Sequence, residues 1–472
     1  MGSPKHVILV PFPAQGHVLP GVYLARKLAA QGLSVTIINI DSIHENLTRT
    51  WKHIEHQDIR LESIPMRLKA PKGFGAENLN DATAFMDAIY DLEEALAALL
   101  EITKLSHPVS CVISDFYHLS APLAAARAGI PSVCFWSGAA AWASIHYSHS
   151  SLAAAGLCPV EGKTLRSLLE LTPFLADSDT SKLVSNLPGL KPFRAEYLPS
   201  YYRKEFYEKS GGGKYFSLSL RRVEIDSCIL ANSIYELEPQ VFDAMQQVVP
   251  GKFVSVGPLF PLKGGGASEM EASLRPESRE SLEWLDNQAP NSVLYVSFGS
   301  VASLTRAEME ELTQGLEASQ KQFLMVASRD LAPEVNESFF REFGERLSRS
   351  GAGMVVSWVP QLAVLQHGSV GGFLTHCGWN STLESMSNGV PMLGWPCHSD
   401  QNTNCKFILE DQEIGMELRD KTRTGISMAI RSLMASEEMR SRASHIERVA
   451  REAASENGSS YKNLHAFIHS LK

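Results

Sequence analysis

The stretch Phe373-Leu-Thr-His-Cys-Gly-Trp-Asn-Ser-Thr-Leu-Glu384 decides how this chain folds. An apolar run, a glycine and then small polar residues read as a buried strand, a tight turn and the first turn of a helix. A helix N-terminus presents unpaired N–H groups and a partial positive charge, so this turn suits a diphosphate. Gly378 removes a side chain where backbone would have to approach such a ligand. His376, Asn380 and Ser381 carry donors for phosphate oxygens, and Glu384 can accept both hydroxyls of a ribose. Upstream, Trp358 follows a short apolar strand and offers a flat face for a base. Each residue has a plainer use when taken alone. Ser381 and Glu384 have the spacing of a capping box, Trp358 could be core, and His376 could be a satisfied turn histidine.

The same alternation runs outward through both halves. Val7–Val10, Val35–Ile40, Val109–Ile113 and Ser132–Phe135 are short β-branched runs of the kind buried in parallel sheets, with helical stretches at Val18–Gln31 and Ser120–Ala128 between them. Ser292–Phe298, Phe323–Ala327, Met354–Ser357 and Gly372–Thr375 repeat the theme around a helix at Arg306–Ala318. The pattern predicts an α/β protein of two Rossmann-like, doubly wound domains facing each other across a cleft. Residues 1–250 form the first domain, 251–276 a Gly-rich linker, 277–452 the second domain, and 453–472 a helix returning to the first. The Pro-, Gly- and Tyr-rich segment 186–216 reads as a lining or lid loop.

Composition narrows the chemistry by exclusion. With 472 residues, 44% apolar and 20% charged, the chain is an ordinary globular one, and its net charge of −9 without a clustered basic run excludes nucleic acid as the main partner. Seven scattered cysteines with no C-x-x-C pair argue against a disulfide framework or a zinc ribbon. His376-Cys377 with Cys397-His398 matches no common zinc spacing, so no metal is expected. No G-x-G-x-x-G follows a strand, which disfavours a dinucleotide oxidoreductase, and P-loop, esterase-elbow and zincin signatures are missing too. The N-terminus has no secretory pattern, and the Ala-rich stretch 119–143 is broken by Arg127 and Pro131. A cytoplasmic monomer without an integral membrane segment is the expectation.

Taken together, Trp358 to Gln401 resembles the nucleotide-sugar signature of plant family-1 UDP-glycosyltransferases. The matching positions are Trp358, Pro360 and Gln361, then Leu365 and His367, Gly371 to Ser381, Glu384, Gly389 to Met392, and Asp400-Gln401. The likeness extends to Pro11–Pro20, Ser297–Ser300 and Gly458–Ile468. It implies a GT-B fold and a UDP-sugar co-substrate held mostly by the second domain. It puts Trp358 under the uracil with Val359 and Gln361 beside base and ribose, and Glu384 on the ribose. His376, Asn380, Ser381 and Ser300 then meet the diphosphate, while Trp379, Asp400 and Gln401 read the sugar. Ser137 corresponds to a position that touches the donor sugar. The terminal Gln401 is similar to glucose-preferring members, although Cys397 and His398 depart from the usual residues before the Asp.

Transfer of a sugar to a hydroxyl also needs a base. His17 follows the first strand where a helix begins, and Asp115 ends the Val109–Ile113 strand, placed to accept the other ring N–H. Alone, His17 could be an ordinary loop histidine and Asp115 a helix cap. The resemblance makes them the catalytic pair of an inverting, metal-free O-glucosyltransferase. Phe12, Phe85, Trp142 and Tyr202 are the expected lining of an acceptor pocket suited to a phenolic or flavonoid, with a terpenoid or hormone as the alternative. A nucleotide-sugar binder that has lost catalysis is the competing reading, and the presence of both His17 and Asp115 speaks against it.

Overall fold

Parallel strands covered by helices on both faces must be apolar throughout, and the first strand, His6–Val10, is buried at all five positions. The computed structural model describes residues 5–50, 58–66, 79–106, 108–157, 180–202, 219–263, 280–300, 302–327 and 331–471. Cys158 and the expected loop and linker stretches 203–216 and 264–276 lie outside these. The described residues fall in two units: those up to Phe260 together with Glu452 onward, and Pro261–Arg451.

The first unit is built on seven strands: β1 (His6–Val10), β2 (Ser34–Ile40), β3 (Ile59–Ile64), β4 (Val109–Asp115), β5 (Ser132–Trp136), β6 (Ile229–Ala231) and β7 (Phe253–Ser255). Their order across the sheet is β3-β2-β1-β4-β5-β6-β7, every pair parallel. β7 lies inside the stretch expected to be linker. Three residues are too few for a periodicity signal, and only the ladder with β6 shows the strand. The described part of the expected lid also differs from expectation. Leu183–Val184 pairs with Phe193–Arg194, and Leu187, Phe193, Tyr197, Leu198 and Tyr202 close an apolar cluster with Ile145 and Leu152.

The second unit carries β8 (Val293–Ser297), β9 (Gln322–Val326), β10 (Gly353–Val356), β11 (Val370–Thr375), β12 (Met392–Gly394) and β13 (Gly415–Glu417). The order is β10-β9-β8-β11-β12-β13, again parallel throughout. Both sheets therefore reverse direction of winding once, between β1 and β4 and between β8 and β11. Ligands of such sheets bind at the carboxyl ends of the strands at that reversal.

Helix starts follow local chemistry. In the helix Arg306–Ser319 a capping box forms, with Thr305 Oγ1 accepting from Glu308 N and Glu308 Oε2 from Thr305 N. The tail helix Ser459–Ser470 belongs to the first unit and lies along β7, where Asn463 Nδ2 donates to Ser255 O at 2.9 Å. Among the described residues no helix is long and apolar enough to cross a membrane.

Candidate active site

The reversal point of the first sheet places the ends of β1 and β4 side by side. After β1 the chain runs through Phe12 to Ala14 and enters α1 (Gln15–Ala30), which has no side-chain cap and no acidic residue in its first turn. His17 stands in that turn and Asp115 is the last residue of β4. His17 Nδ1 lies 2.8 Å from Asp115 Oδ2, with the carboxylate fully buried and the imidazole side chain 21% exposed. A carboxylate only accepts, so the proton of the neutral ring sits on Nδ1 and Nε2 is the basic nitrogen.

Asp115 is held from every side. Tyr117 N donates to Oδ1 at 3.0 Å and Ser137 Oγ to Oδ2 at 3.1 Å. Behind it the fully buried Arg222 donates to Asp115 O at 2.9 Å and to Ser114 Oγ at 2.9 Å, and is paired with Asp226. Ser137 Oγ is also 3.0 Å from His17 Nδ1, so the structure brings this residue, expected at the sugar, onto the His–Asp pair. Arg222 and Tyr117 had no motif to announce them. Tyr117 lies two residues beyond Asp115, and its ring centre is 5.7 Å from that of His17.

The four aromatics expected to line an acceptor pocket divide into two pairs. Phe12 packs edge-on to His17 at 5.4 Å between ring centres, and Phe85 packs against Phe12. Trp142 packs against Phe116, Trp136 and Tyr117, and Tyr202 packs in the cluster of Ile145 and Leu152; all four rings are buried. Aromatic rings in long connections pack when an apolar surface is within reach, and here one is.

The second sheet reverses between β8 and β11. The turn after β8 carries Ser300, half-buried, and the turn after β11 carries His376. Cys377 takes φ 63° there, a left-handed conformation that costs a non-glycine residue about 1 kcal/mol, and α2 (Trp379–Ser387) follows with Gly378 as its cap residue. The capping-box reading of Ser381 and Glu384 is thereby overturned, because Ser381 lies inside the helix. Gln361 Nε2 instead bridges the two, at 3.0 Å from Ser381 Oγ and 2.7 Å from Glu384 Oε2, while Tyr295 OH donates to Gln361 Oε1. Burial pushes the Glu384 carboxyl up to about 7, with the Gln361 amide pulling the other way.

Gly378 also makes way for a neighbour within the protein. A Cβ there would sit 2.4 Å from His376 Nε2, and one on Gly299 2.8 Å from the same atom. The two glycines make room for the imidazole. Burial, reinforced by the nearby His398, pushes that ring down to about 3, so it is neutral at pH 7. Trp358 is half-buried beyond the end of β10 and Val359 is buried; Asn380 is half-buried in the first turn of α2. The Trp379 side chain is buried against Phe407, leaving its backbone N–H, not its indole, at the helix start.

Asp400 and Gln401 open α3 (Gln401–Lys406). Gln401 Oε1 accepts from Cys397 N at 2.8 Å and His398 N at 2.9 Å, and its Nε2 lies 3.4 Å from His398 Nδ1. Asn404, buried and not foreseen, donates to Asp400 Oδ2 at 2.8 Å and to Cys377 O at 2.9 Å. Among the described residues no group of three or more His, Cys, Asp or Glu side chains is arranged to hold a metal ion.

Comparison with known proteins gives the same outline. The sequence model of the UDP-glucoronosyl and UDP-glucosyl transferase family matches residues 264–453. The chain is 34% identical over 493 aligned residues to UDP-glycosyltransferase 85A7 of Arabidopsis thaliana, covering 99% of this chain and 96% of that protein. It is 33% identical to linamarin synthase 1 of Manihot esculenta, with coverage of 99% and 96%. Among solved structures it is similar to Os79 from O. sativa in complex with UDP, at a TM-score of 0.80 and 27% identity over 99% of this chain and 100% of that one.

Proposed function

Because the chain belongs to the plant family-1 UDP-glycosyltransferases, GT-B enzymes that use a UDP-sugar as co-substrate, we propose that it transfers glucose from UDP-glucose, with inversion, to a hydroxyl of a small hydrophobic acceptor. The observation that supports this most directly is the 2.8 Å contact between His17 Nδ1 and Asp115 Oδ2. Nε2 takes the acceptor proton as its oxygen attacks the anomeric carbon. The bond from that carbon to the diphosphate breaks, and its electron pair leaves with UDP. Asp115 stabilises the imidazolium that forms.

On this reading the donor is held by the second unit. Trp358 stacks on the uracil with Val359 beside it, and Glu384 with Gln361 takes the ribose. The N–H groups at the start of α2, with neutral His376, Asn380, Ser381 and Ser300, meet the diphosphate and the charge that grows on it. Trp379, Asp400 and Gln401 read the sugar. Glucose is favoured by Gln401, whose NH2 end suits an equatorial hydroxyl. The acceptor surface begins with Phe12 and Phe85 beside the base, which favours a flat phenolic or flavonoid over a terpenoid. A cytoplasmic address fits the sequon at Asn380, since a glycan there would block the phosphate site.

The test is UDP release from UDP-glucose with a panel of phenolic, flavonoid and terpenoid alcohols, with products read by mass spectrometry and anomeric configuration by NMR. A β-glucoside of at least one acceptor is expected. UDP-glucose binding with no UDP released by any acceptor would leave a nucleotide-sugar binder instead.

A further inference from the structure

We propose that Ser137 is a positioning residue for the base, holding the His17 imidazole in the plane and tautomer that aim Nε2 at the acceptor. The proposal rests on His17 being the base. It replaces the sugar contact that the resemblance assigned to this serine.

Three polar atoms form a closed triangle: His17 Nδ1 to Asp115 Oδ2 at 2.8 Å, Ser137 Oγ to Nδ1 at 3.0 Å, and Ser137 Oγ to Oδ2 at 3.1 Å. Only one arrangement of protons satisfies all three sides. The carboxylate accepts only, so Nδ1 carries a hydrogen. The hydroxyl then cannot donate to Nδ1, and must give its hydrogen to Oδ2 while turning a lone pair toward the N–H. In that state a swing of the ring about its bond to Cβ breaks two contacts instead of one. The same lone pair faces the imidazolium once Nε2 has taken the acceptor proton, adding a second favourable dipole to the carboxylate charge.

The serine itself is fixed by its surroundings, as such a role demands. It is 5% exposed and follows the last residue of β5. Trp136 Nε1 donates to Ala139 O at 2.9 Å, closing the turn that carries it. A Cβ on the next residue, Gly138, would fall 2.2 Å from the Trp142 ring, so the ring lies directly on this backbone. The helix that follows, Ala140–Tyr147, is capped by a buried carboxylate: Glu238 accepts from Ala140 N at 2.9 Å and Ala141 N at 2.7 Å, and from Ser233 Oγ. A sugar-binding hydroxyl needs only to reach the ligand. This one is braced on both sides and turned inward to the His–Asp pair.

Steady-state kinetics of Ser137→Ala, Ser137→Cys and Ser137→Thr, with UDP-glucose and the acceptor that wild type turns over fastest, test the assignment. Loss of one such bond is expected to lower kcat about tenfold in the Ala and Cys variants. KM for UDP-glucose should stay within about twofold, and Thr, which keeps the hydroxyl, should restore kcat to within about threefold. Circular dichroism and thermal unfolding of each variant check that it is folded, and Cys preserves the volume should Ala fail to fold. A raised KM for UDP-glucose with kcat unchanged overturns the proposal in favour of a sugar contact, and unchanged kinetics overturn it outright. His17→Ala measured alongside separates the two levels. If that variant keeps its turnover, the base assignment itself falls; if it loses turnover while Ser137→Ala does not, only the positioning role falls.

Discussion

Asn404 donates its side-chain amide to the carbonyl oxygen of Cys377 at 2.9 Å, tying the turn before α2 to the helix that begins with Asp400 and Gln401. Cys377 is the left-handed residue of that turn, and its N–H is taken by Thr375 Oγ1 at 3.1 Å. The strained turn is thus clamped from both sides, and the second clamp also holds Asp400. Asn404→Ala removes the donor to the buried Cys377 carbonyl, a cost of about 1–3 kcal/mol. The expected outcome is a KM for UDP-glucose raised about tenfold, with thermal unfolding lowered by about 2–4 °C for each kcal/mol lost. Unchanged UDP-glucose affinity by calorimetry would show that the turn holds its shape without the amide.

Asp115→Asn separates orientation from charge. An amide that turns its NH2 toward Nδ1 selects the tautomer with hydrogen on Nε2, which cannot take a proton. Turnover is expected to fall by about 10²–10⁴, while UDP affinity, which the proposed reading gives to residues of the second unit, changes by less than about twofold.

What the sequence reveals of this site depends on how far apart the partners lie. The strand, turn and helix of Val370 to Ser387 are local, and apolar runs with a glycine between them announce them directly. His17 lies in the first turn of the helix after β1 and Asp115 ends β4, the adjacent strand, so topology brings them together once β1 and β4 are recognised. Asn404 could not be found this way, because its value comes from Cys377, 27 residues earlier, across a helix, a strand and a loop. Ser381 and Glu384 misled for the opposite reason. Their S-x-x-E spacing is local and real, but the helix starts three residues earlier and the pair is used by Gln361 instead.

On the proposed reading, Glu384 makes donor binding pH-dependent. Its carboxyl is raised to about 7 by burial, so the folded chain holds this proton more tightly than the unfolded one. The stability it contributes is fully present below the ordinary carboxyl range and is lost as pH rises through about 7. Ribose hydroxyls need the ionised form as acceptor, so binding must expel the proton below that pH. UDP-glucose, whose diphosphate is a diester with no second ionisation near 7, should bind more tightly as pH rises from 6 to 8, by up to about tenfold per unit below 7 and then level off. Glu384→Gln should bind more weakly and with a flat profile. Neutral His376, pushed down to about 3, adds no slope in this window.

Arg222 underlies the proposed catalytic pair. It is fully buried, bonded to the backbone oxygens of Ser114, Asp115 and His118, and paired with Asp226, which also accepts from Ser132 Oγ at 2.6 Å. Removing one partner of such a pair strands the other's charge in a low-dielectric interior, at a cost of about 3–5 kcal/mol, whereas removing both can be nearly neutral. Arg222→Met should therefore lower the unfolding midpoint of the first unit sharply and reduce kcat by loosening the end of β4. Arg222→Met with Asp226→Leu should recover most of the stability. It should not recover kcat, because the three carbonyls that fix the Asp115 turn still lack their donor. Recovery of both together would mean that the ion pair alone matters, and that Asp115 needs no support from beneath.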